Sequence, residues 1–307
     1  MQSRRAPAPW RPMRRRLTRA GIAAAVLLAA PMAALASPAD LYFERNVMSA
    51  ANQRCGLFSP ELASALDSAA AQARGAALRA GTSEQSLAAL RQRAANRAAS
   101  VSCGSKDVAE VAGRVRAAFD GYAKLQSMNF PGDVADWSAQ RSTAQRTMVW
   151  RLAQTTRFGA DAMTFGLAGQ GGASGLVAAV SFADGAQPYA ARLVLRDQAR
   201  SPQPYLDRYS GGSTSRLPLA RRLPPRSALK AYGAAARSHA DDELLPKGAE
   251  SGWAFRFPDA AAQDLARLDP REAVAVEFLF PGDVMRRAYV EVGDFAAGRA
   301  FLQIGGR

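Results

Sequence analysis

The apolar residues of this chain change period once, near Pro131: before it they recur at three- and four-residue spacing, and after it at every second residue. Helices followed by strands are the consequence, an α+β fold whose two kinds of element are segregated along the sequence. In the first part the clearest stripe is Val108, Val111, Val115, Phe119, Tyr122 and Leu125. Ahead of it, Leu41, Phe43, Val47 and Met48 mark a helix before the break at Cys55 and Gly56. Ser59 and Pro60 open a second, with Leu62, Leu66, Ala69, Ala73 and Ala77 inward and Gly81 as its stop. Thr82 with Gln85 predicts a capping box for a third, facing inward through Leu87, Leu90, Ala94, Ala98 and Val101. Four helices with short joints over residues 37–130 predict an up-down-up-down four-helix bundle.

In that topology the C-terminal ends of helices one and three share a pole, where the chain's two cysteines, Cys55 and Cys103, fall. They are expected to pair. A redox or metal role needs a C-x-x-C spacing or further ligands, and the sequence offers neither. On the chain-entropy account, closing a loop of about 48 residues stabilises the fold by roughly 4 kcal/mol.

Residues 131–145 read as a linker, and residues 146–307 as a β-rich domain. Met148, Trp150 and Leu152 are predicted to face one way and Val149 and Arg151 the other. Met163, Phe165 and Leu167 follow, then Leu176, Ala178, Val180 and Phe182, and then Tyr189, Ala191, Leu193 and Leu195 after Asp184 and Gly185. Four consecutive strands predict an antiparallel meander, with the glycine-rich run 169–175 as a hairpin turn. Residues 199–227 form a loop rich in Pro, Ser, Gly and Arg; strands and two short helices resume beyond it. An antiparallel β-sandwich or strongly bent sheet with two short covering helices is the expected outcome.

The N-terminus fits a cleavable export signal. Seven arginines and no acid fill the first 19 residues, residues 20–30 are uncharged and apolar, and Ala34 and Ala36 supply small residues for cleavage between Ala36 and Ser37. Arg14, Arg15, Arg16 and Leu17 also meet the loose twin-arginine pattern. The apolar run is shorter than the roughly 20 residues needed to span a bilayer, and no later segment is long enough either, so no integral membrane segment is expected in the mature chain. A periplasmic or secreted location follows. Beyond the signal the chain has 33 basic and 26 acidic residues, half the +14 formal charge of the whole. Only Lys106, Lys124, Lys230 and Lys247 are lysines; arginine is the default cation.

Most catalytic constellations are absent. His239 is the single histidine, which excludes an H-E-x-x-H zinc site, and there is neither a G-x-S-x-G elbow nor a P-loop. No cofactor is implied. His239, Asp241 and Asp242 lie close enough in sequence to hold a metal or move protons, which keeps an envelope hydrolase using carboxylates as the alternative reading. The preferred reading is a non-catalytic envelope interaction protein. Residues 208–237 carry Arg208, Arg216, Arg221, Arg222, Arg226, Lys230 and Arg237 with no acid among them. Such a stretch suits an anionic envelope polymer or an envelope protein's acidic face, and with no recognition motif present, not nucleic acid.

The run 257–302 contains a short helix, the strand Val274, Ala275, Val276, Glu277 and Phe278, and then Tyr289 to Val292 leading through Gly293, Asp294, Phe295, Ala296 and Ala297 into a last helix. In this part the chain resembles invasion-associated locus B-type secreted proteins. That resemblance implies a secreted β-sandwich acting in envelope or host interaction, with no catalytic residues to carry over. It departs from the family in placing both cysteines in the helical part.

Overall fold

Ser37 caps the first helix. Its hydroxyl accepts the Asp40 N–H at 3.2 Å while the Asp40 carboxylate accepts the Ser37 N–H at 3.2 Å, a capping box that starts α1 (Pro38–Cys55). The structure, a computed structural model, describes residues 36–141, 146–206 and 217–304. The expected signal peptide, up to Leu35, therefore lies outside the described residues. Ser59 caps α2 (Pro60–Arg79), as its sequence neighbours predict, and Ser105 caps α4 (Lys106–Lys124). α3 (Glu84–Ala99) is capped by Ser83 instead of Thr82. The reason is local: the Thr82 N–H bonds the Ala77 carbonyl at 2.9 Å, closing α2 around Gly81 at φ 93°, so Thr82 belongs to the helix before it.

α1 packs on both α2 and α3 around Tyr42, Ala77, Leu78 and Leu87. The ends of α1 and α3 lie side by side: Arg54 of α1 donates to the Ala99 carbonyl at 2.9 Å, and Cys55 is bonded to Cys103 with their Cα atoms 5.6 Å apart. α4 buries Val108 and Ala112, while its Val111 and Val115 face a groove of ≈ 560 Å³ shared with Phe43, Val47 and Met48 of α1.

Among the described residues there are six α-helices and eleven strands, the strands all antiparallel in two sheets. The first sheet runs in the order β1 (Ser127–Phe130), β2 (Trp137–Gln140), β3 (Val149–Phe158), β4 (Asp161–Gly169), β5 (Gly175–Ser181), β9 (Trp253–Arg256), β8 (Ala236–His239). The second runs β11 (Met285–Glu291), β10 (Ala273–Leu279), β6 (Ala190–Arg196), β7 (Leu229–Gly233). Two short helices, α5 (Asp259–Leu265) and α6 (Phe295–Gln303), complete the fold. One buried cluster takes side chains from both sheets and both short helices, including Trp137, Phe165, Phe255, Phe278 and Phe301. The described residues from Ala36 onward form one compact unit.

Two features of the strands differ from the alternation pattern. The meander stops at three strands: the far edge of β5 is taken by β9, so β6 crosses to the other sheet and pairs with β10 and β7. Alternation cannot reveal this, because either sheet buries one face. In β3 the register shifts between Trp150 and Leu152, leaving Arg151 as the extra residue of a β-bulge. Trp150 consequently joins Met148 in an outer cluster with Ala168 and Leu244, while Leu152 enters the central core. The predicted common face of these three residues is broken at Arg151.

The end of β11 ties these pieces together. The Glu291 side chain, fully buried, accepts the N–H groups of Asp133, Val134 and Ala135 at 2.8, 2.8 and 3.2 Å. Gln154 of β3 accepts the Glu291 N–H, and the Trp137 indole donates to the Glu291 and Val292 carbonyls at 3.2 and 3.0 Å. Three residues on, Asp294 receives two hydrogen bonds from Arg79 of α2, at 2.9 and 3.2 Å. Burial pushes the Asp294 carboxyl up from its usual pKa and the Arg79 contact partly offsets it.

The disulfide closes a loop that lies wholly among the helices. Cys55→Ser should therefore lower the unfolding free energy by about 2–4 kcal/mol while leaving the sheet signature in circular dichroism intact below the melting temperature. An unchanged melting temperature would contradict this.

Candidate functional site

The seven cations of residues 208–237 do not form one surface. Arg208 and Arg216 lie outside the described residues. Arg221 ends the short turn Leu219–Arg221 and Arg226 begins the turn Arg226–Ala228; both are exposed. Arg222, between them, is 1% exposed. Its guanidinium sits 3.1 Å from Asp133 and 3.5 Å from Glu291, and it donates to the Leu217 carbonyl at 3.0 Å. A cation so enclosed is not available to a partner, so the candidate binding set has to be corrected by removing it. The physical cause is Glu291, a buried carboxylate that requires a counter-charge.

Lys230, on β7, is turned to a local carboxylate. Its ammonium donates to Asp264 at 2.9 Å and lies 4.6 Å from the Tyr232 ring centroid, while the Tyr232 hydroxyl bonds the same Asp264 oxygen at 2.5 Å. Hydrogen bonding with Tyr232 and Asp264 holds the Lys230 pKa above its usual value. Burial pushes Asp264 up, but the Tyr232 and Lys230 hydrogen bonds outweigh it and hold the carboxyl below its ordinary range.

Arg237 and His239 occupy alternate positions of β8, and both meet Trp253 of β9. The guanidinium lies 3.5 Å from the indole centroid, and the imidazole stacks on the indole at 4.2 Å with 29° between the planes. β8 stands at the end of its sheet with all four residues exposed. Trp253 was not singled out by sequence reasoning, although the signal was present. Two cationic or aromatic residues at i and i+2 on one strand share a face, and an aromatic on the neighbouring strand can reach both.

His239, Asp241 and Asp242 are not brought together as ligands. The His239 ring is engaged with Trp253, Asp241 precedes the turn Asp242–Leu244, and no three His, Cys, Asp or Glu side chains among the described residues form a group that could hold a metal ion. His239 and Asp241 line one small pocket, without a third such ligand among the described residues.

A cavity of ≈ 840 Å³ is lined by Arg74, Glu84, Arg196, Arg267, Asp269 and Arg271 among others. Its charges are largely paired within the protein: Arg74 with Glu84 at 2.6 Å, Arg196 with Glu272 at 2.6 Å and Arg271 with Asp269 at 2.9 Å. Burial and a hydrogen bond with Asp269 push the Glu84 carboxyl up. Burial pushes Asp269 up as well, but Arg271 outweighs it and holds that carboxyl low.

Neighbours in sequence, Arg221 and Arg222 should differ sharply in what they contribute. Arg222→Ala leaves Glu291 and Asp133 without their cation and should cost about 3–5 kcal/mol of stability. Arg221→Ala should stay within about 0.5 kcal/mol. Chemical denaturation of the two variants measures both, and equal midpoints would contradict the assignment.

No protein-family profile matches the chain, and no curated protein or solved structure shows significant similarity to it.

Proposed function

We propose that this is an exported, non-catalytic binding protein of the periplasm or extracellular space, which meets an anionic envelope polymer or the acidic face of an envelope protein. The observation that carries the reading is the set Arg221, Arg226 and Arg237: three exposed guanidiniums on an acid-free stretch, none of them in an ion pair among the described residues. Arg237 is held on the Trp253 ring, which limits its freedom before binding and so lowers the entropic cost of engaging a partner.

Export is supported by the arginine-rich N-terminus with its small-residue cleavage pattern, and is compatible with the disulfide. Among the described residues no helix is long and apolar enough to cross a membrane. The carrying body is read as a four-helix bundle of α1–α4, supported by the packing of α1 on α2 and α3, joined to a β-sandwich, supported by the core shared between the sheets. The likeness of residues 257–302 to invasion-associated locus B-type secreted proteins adds envelope or host interaction as a setting. A second reading, hydrolysis by carboxylates, has one observation in its favour: Glu84 and Asp269 are pushed in opposite directions beside the cavity they line.

The test is retention of the mature chain on vesicles containing phosphatidylglycerol and on immobilised polyphosphate, at low and at raised salt. Wild type should be held at low salt and released as screening increases. At about 1 kcal/mol per cation near an anionic surface, the triple variant Arg221→Glu, Arg226→Glu, Arg237→Glu should lose roughly a hundredfold in affinity or more. Equal retention of wild type and variant at low salt would remove the basis of this reading.

A further inference from the structure

Five arginines are buried among the described residues: Arg141, Arg151, Arg196, Arg222 and Arg271. Three of them face carboxylates, Arg196 on Glu272, Arg222 on Asp133 and Glu291, and Arg271 on Asp269. Arg141 instead donates to the carbonyls of Phe301, Tyr122, Ala123 and Leu125, where α4 and α6 end. Arg151 is the exception. It is 8% exposed, its buried Nε and Nη1 have no hydrogen-bond partner, and it forms no ion pair with any described residue. A guanidinium is charged at every accessible pH, so it cannot escape this situation by losing its proton.

The bulge places it there. As the extra residue of β3, Arg151 falls out of the strand's alternation and lines a cavity of ≈ 390 Å³ together with Arg299 and Gln303 of α6, Asp259 and Gln263 of α5, and Ser174 of the β4–β5 turn. α6 comes this close because Gly298 lets its backbone down onto Leu152; a Cβ at Gly298 would lie 2.5 Å from a Leu152 methyl. Arg299, the next residue, forms no ion pair with a described residue either, so two cations and one carboxylate, Asp259, line the cavity without pairing. Leu167, Leu176, Ala262 and Leu302 supply its apolar wall. The volume suits a small molecule, and half of the lining residues are polar or charged, which suits an acid better than a hydrocarbon.

We infer that this cavity binds a small monocarboxylic acid, with the carboxylate on the Arg151 guanidinium, Arg299 as a second cation, and the organic body against the leucines. A planar carboxylate matches the guanidinium fork. Asp259, exposed on the cavity's lining, disfavours a dianion such as phosphate. The inference stands apart from the reading of residues 217–237, since it uses none of their side chains.

Thermal melting and titration calorimetry of the mature chain with sodium acetate, sodium benzoate and N-acetylglycine test it, against inorganic phosphate and chloride at matched ionic strength. At least one of the carboxylates should raise the melting temperature and give saturable heats, and phosphate should do no more than chloride. Arg151→Met should remove the carboxylate shift and, by deleting an unpartnered buried charge, melt at or above the ligand-free wild type. Arg151→Lys, which keeps the charge but not the fork, should bind at least tenfold more weakly. The inference is overturned if none of the three carboxylates shifts wild type, if Arg151→Met shifts as wild type does, if phosphate binds as well as the carboxylates, or if Arg151→Met fails to fold.

Discussion

A carboxylate with no access to water has to be compensated by the protein, and at Glu291 the compensation comes from several distant stretches of chain. The loop before β2 contributes three backbone N–H groups, and the basic loop contributes Arg222. β3 and β2 fix the Glu291 backbone through Gln154 and Trp137. Gly293 then packs against the Trp137 ring, and the chain turns so that Asp294 meets Arg79 of α2. The exit of β11 is thus a joint at which sheet, loop and helices are held by charge and hydrogen bonding as well as by apolar packing. Such an arrangement is strict, because losing any one partner leaves another buried and unsatisfied.

This strictness decides which arginines remain for function. In a chain where arginine is the default cation, position in a basic segment says little about role. Arg222 neutralises a buried acid, Arg141 binds carbonyls where two helices end, and Lys230 is engaged by Asp264. In the basic segment exposed guanidiniums remain on either side of Arg222, and in β3 a buried guanidinium stands at a bulge with no ion pair among the described residues. The two leftovers point to different kinds of ligand, a charged surface for the first and a small acid for the second. Neither needs a catalytic group.

Much of the fold was legible because local physics decides it. Ser59 and the Cys55–Cys103 pair follow from caps and helix ends, and the change of period near Pro131 separates helices from strands. What escaped depends on distant partners. Thr82 and Ser83 compete for one cap, and the choice depends on how α2 closes. β1 and β2, lying at residues 127–140, are four residues each and too short to show a period. β6 alternates as β5 does, yet belongs to the other sheet. Of the candidate site, Arg237 and His239 fell where their alternation suggests, but Trp253 beneath them, the burial of Arg222 and the isolation of Arg151 are tertiary facts. A bulge has no sequence signature in a run as apolar as residues 147–152.

Glu291 organises the joint on which the roles of these arginines depend, and hydrogen exchange at three amides tests this most directly. Asp133, Val134 and Ala135 lie on a surface loop, Val134 being 56% exposed, and amides on such a loop ordinarily exchange within the fast, local-opening regime. With their N–H groups bonded to a buried carboxylate, they should instead exchange as slowly as the interior strand β4, and Glu291→Gln should release them selectively. Fast exchange of all three in the wild-type protein would contradict the account.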